Sequence, residues 1–144
     1  MKTTSVLHGG VLVYVAACLA FVLGLGGCSK AVSIEDLYGV YVASYPFGSD
    51  TITLKRDGQF IQSVQMKNET RPVTAEGRWT FNSDSYSSSY VTFYAGYLRV
   101  DDGFGRLNPN WRNPPNNTLA VPPVHKGLSN ILINPEAKFP YVKQ

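Results

Sequence analysis

Between Tyr38 and Val100, apolar and polar side chains alternate with period two over much of the chain, the pattern of strands with one buried face. Tyr38 to Tyr45 reads as one such strand, with Pro46, Gly48 and Asp50 as turn residues after it. Thr51 to Lys55 and Gln59 to Met66 form the clearest hairpin, and Ile52, Leu54, Phe60, Val64 and Met66 are predicted to share its buried face. The loop length follows from that face. A two-residue turn at Asp57-Gly58 would pair Lys55 with Phe60 and set a charge opposite the core. A three-residue loop, Arg56-Asp57-Gly58, pairs Leu54 with Phe60 and requires Gly58 in the left-handed conformation, which glycine tolerates. The hydrophobic pattern selects the longer loop.

Asn68 to Pro72 turns the chain again. Val73, Ala75, Gly77, Trp79 and Phe81 then alternate with polar neighbours in a half-buried strand. The Ser-rich stretch Asn82 to Ser89 reads as a flexible connection. Tyr90 to Ala95 and Tyr97 to Val100 read as two strands around Gly96, or as one bent strand. Beyond Asp101 the periodicity stops, and seven of the nine prolines lie between Pro109 and Pro140. Leu119 to Val124 contains Pro122-Pro123, so a strand there belongs at an edge. Asn130 to Asn134 and Lys138 to Lys143 are expected to close the sheet. Ahead of the strands, Ser33-Ile34-Glu35-Asp36 suits either a capping box on one helical turn or a solvated linker.

The first residues follow a different rule. After Lys2, Val11 to Leu25 is an apolar run of a length that suits a signal peptide and is short for a bilayer span. It ends in Leu25-Gly26-Gly27-Cys28, which resembles the lipobox of bacterial lipoprotein signal peptides. That resemblance implies cleavage after Gly27, lipid attachment at Cys28 and anchorage to a membrane through its acyl chains. Each buried methylene contributes about 0.8 kcal/mol, so one chain holds marginally and two hold firmly. Ser29 after the cysteine implies, for Gram-negative lipoproteins of this kind, a place on the outer membrane facing the periplasm. The expected organisation is a signal peptide at 1–27, a lipidated tether at 28–36 and one β-rich domain at 37–144.

Removal of residues 1–27 leaves 117, with twelve Lys and Arg against ten Asp and Glu and no basic cluster, so a nucleic-acid footprint is unsupported. Cys18 leaves with the signal. Cys28 is then the single cysteine, and the domain must hold together by packing rather than by an internal disulfide. Leu37-Tyr38-Gly39-Val40-Tyr41 resembles the first strand of lipocalin-like barrels, with Tyr41 where that family carries Trp. Gly77-Arg78-Trp79 is similar to a strand pattern of small β-barrel lipoproteins. These resemblances imply a mostly β fold of seven to nine short strands, as a small antiparallel up-and-down barrel or an open sandwich. A barrel of this size is either filled by side chains or holds one small ligand.

Candidate chemistry is sparse. His125 is the one histidine left after the signal, and no nucleophile, base and acid are brought together by spacing. No cofactor or metal motif is present, and Asp101-Asp102-Gly103 reads as a turn. The expectation is a protein that is not an enzyme. Strand aromatics such as Phe60, Trp79, Phe81 and Phe93 are assigned to the core. Phe104 and Trp111, accompanied by Arg106 and Arg112, lie instead in the irregular segment 101–118 and are the candidate partner-binding residues. Trp111 either plugs the barrel end or meets a partner. Two functions stay open: an interaction module contacting an envelope protein, glycan or lipid, and a small-ligand carrier of lipocalin type.

Overall fold

The computed structural model describes residues 31–83, 88–113, 119–127, 129–134 and 136–144. The lipobox-like segment, Cys28 and half of the Ser-rich connection lie outside them. Among these residues, one helical turn, α1 (Ile34–Leu37), precedes nine strands: β1 (Gly39–Tyr45), β2 (Gly48–Leu54), β3 (Gln59–Met66), β4 (Val73–Ser83), β5 (Ser89–Tyr94), β6 (Leu119–Ala120), β7 (Val124–Lys126), β8 (Ile131–Ile133) and β9 (Tyr141–Lys143). They form one antiparallel sheet in the order β6-β5-β4-β3-β2-β1-β9-β8-β7.

The hairpin takes the register that its hydrophobic pattern demands. Leu54 faces Phe60, the Lys55 amide donates to the Gln59 carbonyl at 2.9 Å, and Gly58 has φ +77°. Ile52, Leu54, Phe60, Val64 and Met66 are all buried on one face. The core continues through Tyr41, Trp79, Val91, Phe93 and Ile133, with Phe60 and Phe93 edge-to-face at 5.1 Å.

Pairing every neighbour antiparallel makes β6 and β7 run in the same direction. They are two halves of one strand position, divided at Pro122-Pro123, where the ladder lacks two N–H donors. The first half pairs with β5 and the second with β8. Val91 donates to the Pro122 carbonyl at 3.1 Å and Tyr90 bridges Pro123, so the two edges of the sheet meet. The result is a nearly closed up-and-down barrel. One end carries α1 and the β2–β3 loop. The other carries the β1–β2 and β3–β4 turns, the long β5–β6 segment and the β8–β9 connection.

Two local expectations change, and one open alternative is resolved. Asp50 is not in a turn: the chain reverses at Pro46-Phe47, and Asp50 lies fully buried within β2. Tyr97 to Val100 is not a strand. Ala95 and Gly96 take φ +51° and +71°, which turns the chain off the sheet after β5. A Cβ on Gly96 would stand 2.4 Å from the Glu76 carbonyl oxygen, so this turn also needs the bare backbone. Of the two readings left open for residues 33–36, finally, the capped turn is the one present. Ser33 donates through N and Oγ to the Asp36 carboxylate, each at 2.9 Å, which fixes α1 as a capped turn. Lys126 bonds Asp36 at 2.6 Å and holds its carboxyl down at about 2, with help from Ser33, while Leu37 is fully buried. Among the described residues, α1 is thus part of the folded unit. Among the described residues no helix is long and apolar enough to cross a membrane.

Candidate functional site at the capped end of the barrel

The segment after β5 closes the barrel end through a side chain standing in for a strand. Gln62 points inward from β3, between Phe60 and Val64. Its Oε1 accepts from the Leu98 amide at 2.7 Å, and its Nε2 donates to the Leu98 carbonyl at 2.9 Å. That pair of bonds seats residues 97–100 in the barrel mouth, with Leu98 and Val100 buried and Tyr97 stacked on Phe93 at 4.9 Å. The chain then doubles back. Asp101 bridges Leu107, and Asn108 bonds the Val100 and Arg99 carbonyls at 2.9 and 2.8 Å.

The tip of this excursion is held by two carboxylates, with Asp101 accepting from the Gly103 amide at 2.6 Å. Asp102 accepts from the amides of Phe104 and Arg106 at 2.9 and 3.2 Å and from Arg106 Nε at 2.7 Å. The Phe104 amide foremost among them keeps the Asp102 carboxyl below its ordinary value. The turn expected at Asp101-Asp102-Gly103 is therefore present. Among the described residues no three His, Cys, Asp or Glu side chains gather into a possible metal site.

The four aromatic and arginine residues singled out in the sequence divide into two pairs. Phe104 stands at the tip with 74% of its surface exposed, and the Arg106 guanidinium lies 5.7 Å from its ring. Trp111, by contrast, is 5% exposed and belongs to the core cluster at the barrel end. Arg112 lies 4.8 Å over the Trp111 ring and pairs with Glu69 of the β3–β4 turn. Phe104 and Arg106 are presented outward, whereas Trp111 and Arg112 seat the cap. His125 is an exposed residue on β7.

The sequence did not point to the polar cluster beneath the cap. Asp50 Oδ2 accepts from Gln62 Nε2 at 2.7 Å and from the Tyr141 hydroxyl at 2.5 Å. The Tyr141 and Tyr97 hydroxyls lie 3.4 Å apart, and Asp50 Oδ1 is buried without a partner. Burial pushes the Asp50 carboxyl up to about 7, and the bonds from Tyr141 and Gln62 offset this only in part. Burial likewise raises the phenols of Tyr45, Tyr97 and Tyr141. One signal was available. Asp50 shares the alternation phase of Ile52 and Leu54, and Gln62 that of Phe60 and Val64. Beside this cluster a cleft of about 330 Å³ opens between Tyr45, Tyr97, Tyr141, Phe139, Asn134 and Arg99.

Fold and site together define a small, mostly β, lipocalin-like up-and-down barrel, stoppered at one end by its longest connection. No protein-family model, curated protein or solved structure matches the chain.

Proposed function

We propose that this chain is a cell-envelope lipoprotein, acylated at Cys28, whose barrel is a non-enzymatic binding module for an envelope protein or glycan. The observation that carries the reading is the tip at Phe104. It is a large aromatic left almost wholly in water, beside a guanidinium, on a loop held by three hydrogen bonds to Asp102. Aromatic residues and arginine are favoured in contact hot spots. A loop already held in one conformation loses less entropy on binding. The tip also lies at the end opposite α1, so an anchor at Cys28 would turn it away from the bilayer. Ser29 supports a place on the outer membrane, facing the periplasm.

A photo-crosslinking residue at position 104 of the full chain, in intact cells, tests the partner surface. It should trap a distinct protein or glycan adduct that is lost with Arg106→Ala. The same residue at position 61, on the exposed wall of β3, should not trap it. Equal adducts from both positions, or none from 104, would remove the tip from consideration.

The cleft favours a second reading, the carrier of a small ligand. The cleft lies at the mouth, so such a ligand would sit there against Tyr97 and Tyr141. A small molecule retained in native mass spectra of protein taken from membranes, and lost with Tyr97→Ala, would support it.

A further inference from the structure

Two hydrogen-bonded routes leave the buried carboxyl of Asp50, and both end on the segment that closes the barrel. The first runs through Gln62, which bonds Asp50 with the same Nε2 that holds the Leu98 carbonyl. The second runs through the Tyr141 hydroxyl to that of Tyr97, the residue before Leu98. Asp50 thus ties β2, β3 and β9 of the barrel wall to a segment that itself has no place in the ladder. We propose that Asp50 is a proton-operated latch: its neutral form keeps residues 97–111 seated in the barrel mouth, and its ionised form releases them and widens the adjoining cleft.

Burial disfavours the charge of Asp50, and only the donors Gln62 and Tyr141 favour it. Tyr45 faces it from β1, uncharged Gln62 from β3, Tyr141 from β9, and Tyr97 and Asp101 from the cap. Arg99 is the cation of that neighbourhood, and its influence falls on the Tyr97 phenol. Among the described residues no cation forms an ion pair with Asp50. Asp101 adds a like charge. An ionised Asp50 would have two donors on Oδ2 and none on Oδ1, in a site without water contact. Such a charge is costly unless the protein rearranges to solvate it.

The carboxyl stands at about 7 when folded, against roughly 3.9 for a free aspartate. Its contribution to stability is therefore fully present below about pH 4 and is lost as pH rises through about 7. The barrel wall is held by continuous ladders, whereas residues 97–100 are held by the Gln62 bonds and by packing. The cap is the element that yields most readily, and its withdrawal brings water to Oδ1. Phe104 and Arg106 ride on the same segment, so the latch would also govern how the tip is presented. It stands whether or not the tip is the partner surface.

The test is a nuclear magnetic resonance titration of the full chain in detergent micelles, from about pH 5 to about pH 9. The Asp50 carboxyl carbon, the Gln62 side-chain amide and the Leu98 amide should titrate with one shared midpoint near 7. Exchange of the Leu98 amide should rise about tenfold or more beyond the intrinsic effect of pH. Asp50→Asn should abolish the transition. Tyr141→Phe removes a donor to the carboxylate and should move all three midpoints upward together, which keeps the test decisive if Asp50→Asn does not fold. An Asp50 that titrates while Leu98 stays unmoved would overturn the latch. So would an Asp50 that does not titrate in this range, or a midpoint indifferent to Tyr141→Phe.

Discussion

Gln62 occupies a position where the alternation of β3 calls for an apolar side chain, and every one of its polar bonds is buried. Replacing it with Leu keeps the volume but strands the Leu98 amide, the Leu98 carbonyl and one bond to Asp50. Unpaired buried polar groups cost about 1–3 kcal/mol each, partly relieved where the cap lifts to admit water. Gln62→Leu should therefore lower stability by about 3 kcal/mol in denaturant melts, although the residue becomes more apolar. An unchanged midpoint would mean that the cap is not seated through this side chain. The periodicity of β3 marks the position as inward, but residue type argues against it, and the Asp50–Tyr141 contact spans 91 positions. Asp50 resembles a turn residue for the same reason: aspartate near proline and glycine is ordinary turn chemistry. Local pattern has no means of pairing it with a tyrosine from the last strand.

The regular elements were legible where sequence carries both period and punctuation. The β2–β3 hairpin had both, in the pairing of Leu54 with Phe60 and in Gly58. Gly58→Val should destabilise the domain by about 1–2 kcal/mol, because a β-branched side chain resists the positive φ required there. Denaturant melts of the wild type and variant would read the loss, and equal midpoints would mean a different loop conformation. The cap was not legible. Its departure from the sheet depends on Ala95 with positive φ, a conformation its residue type does not advertise, and its ladder partner is a side chain. The four residues picked from its composition split between the exposed tip and a seat where Arg112 covers buried Trp111, a division set by long-range packing. Trp111→Ala should cost about 3–5 kcal/mol, since it empties a buried site of large volume. Arg112→Ala should cost less than about 1 kcal/mol, because its pair with Glu69 is partly in water. Equal losses in the two melts would contradict the difference in burial between Trp111 and Arg112.

At the scale of the molecule, the break at Pro122-Pro123 lets one strand position serve both edges of the sheet, and a chain of modest length closes on itself. Closure leaves the two ends as the distinctive surfaces, with α1 at one and the cap at the other. This polarity makes an N-terminal anchor meaningful, for acyl chains on Cys28 would hold the α1 end to the membrane and leave Phe104 outermost. The apolar run Val11 to Leu25 and the Leu25-Gly26-Gly27-Cys28 pattern are compact and local, and the proposed anchorage rests on them. Anchorage is tested most directly by the intact mass of the protein extracted from membranes. A chain beginning at Cys28 with added acyl mass is expected, together with unprocessed, unacylated precursor for Cys28→Ser. A mature chain starting elsewhere, or one starting at Cys28 without acyl mass, would contradict it.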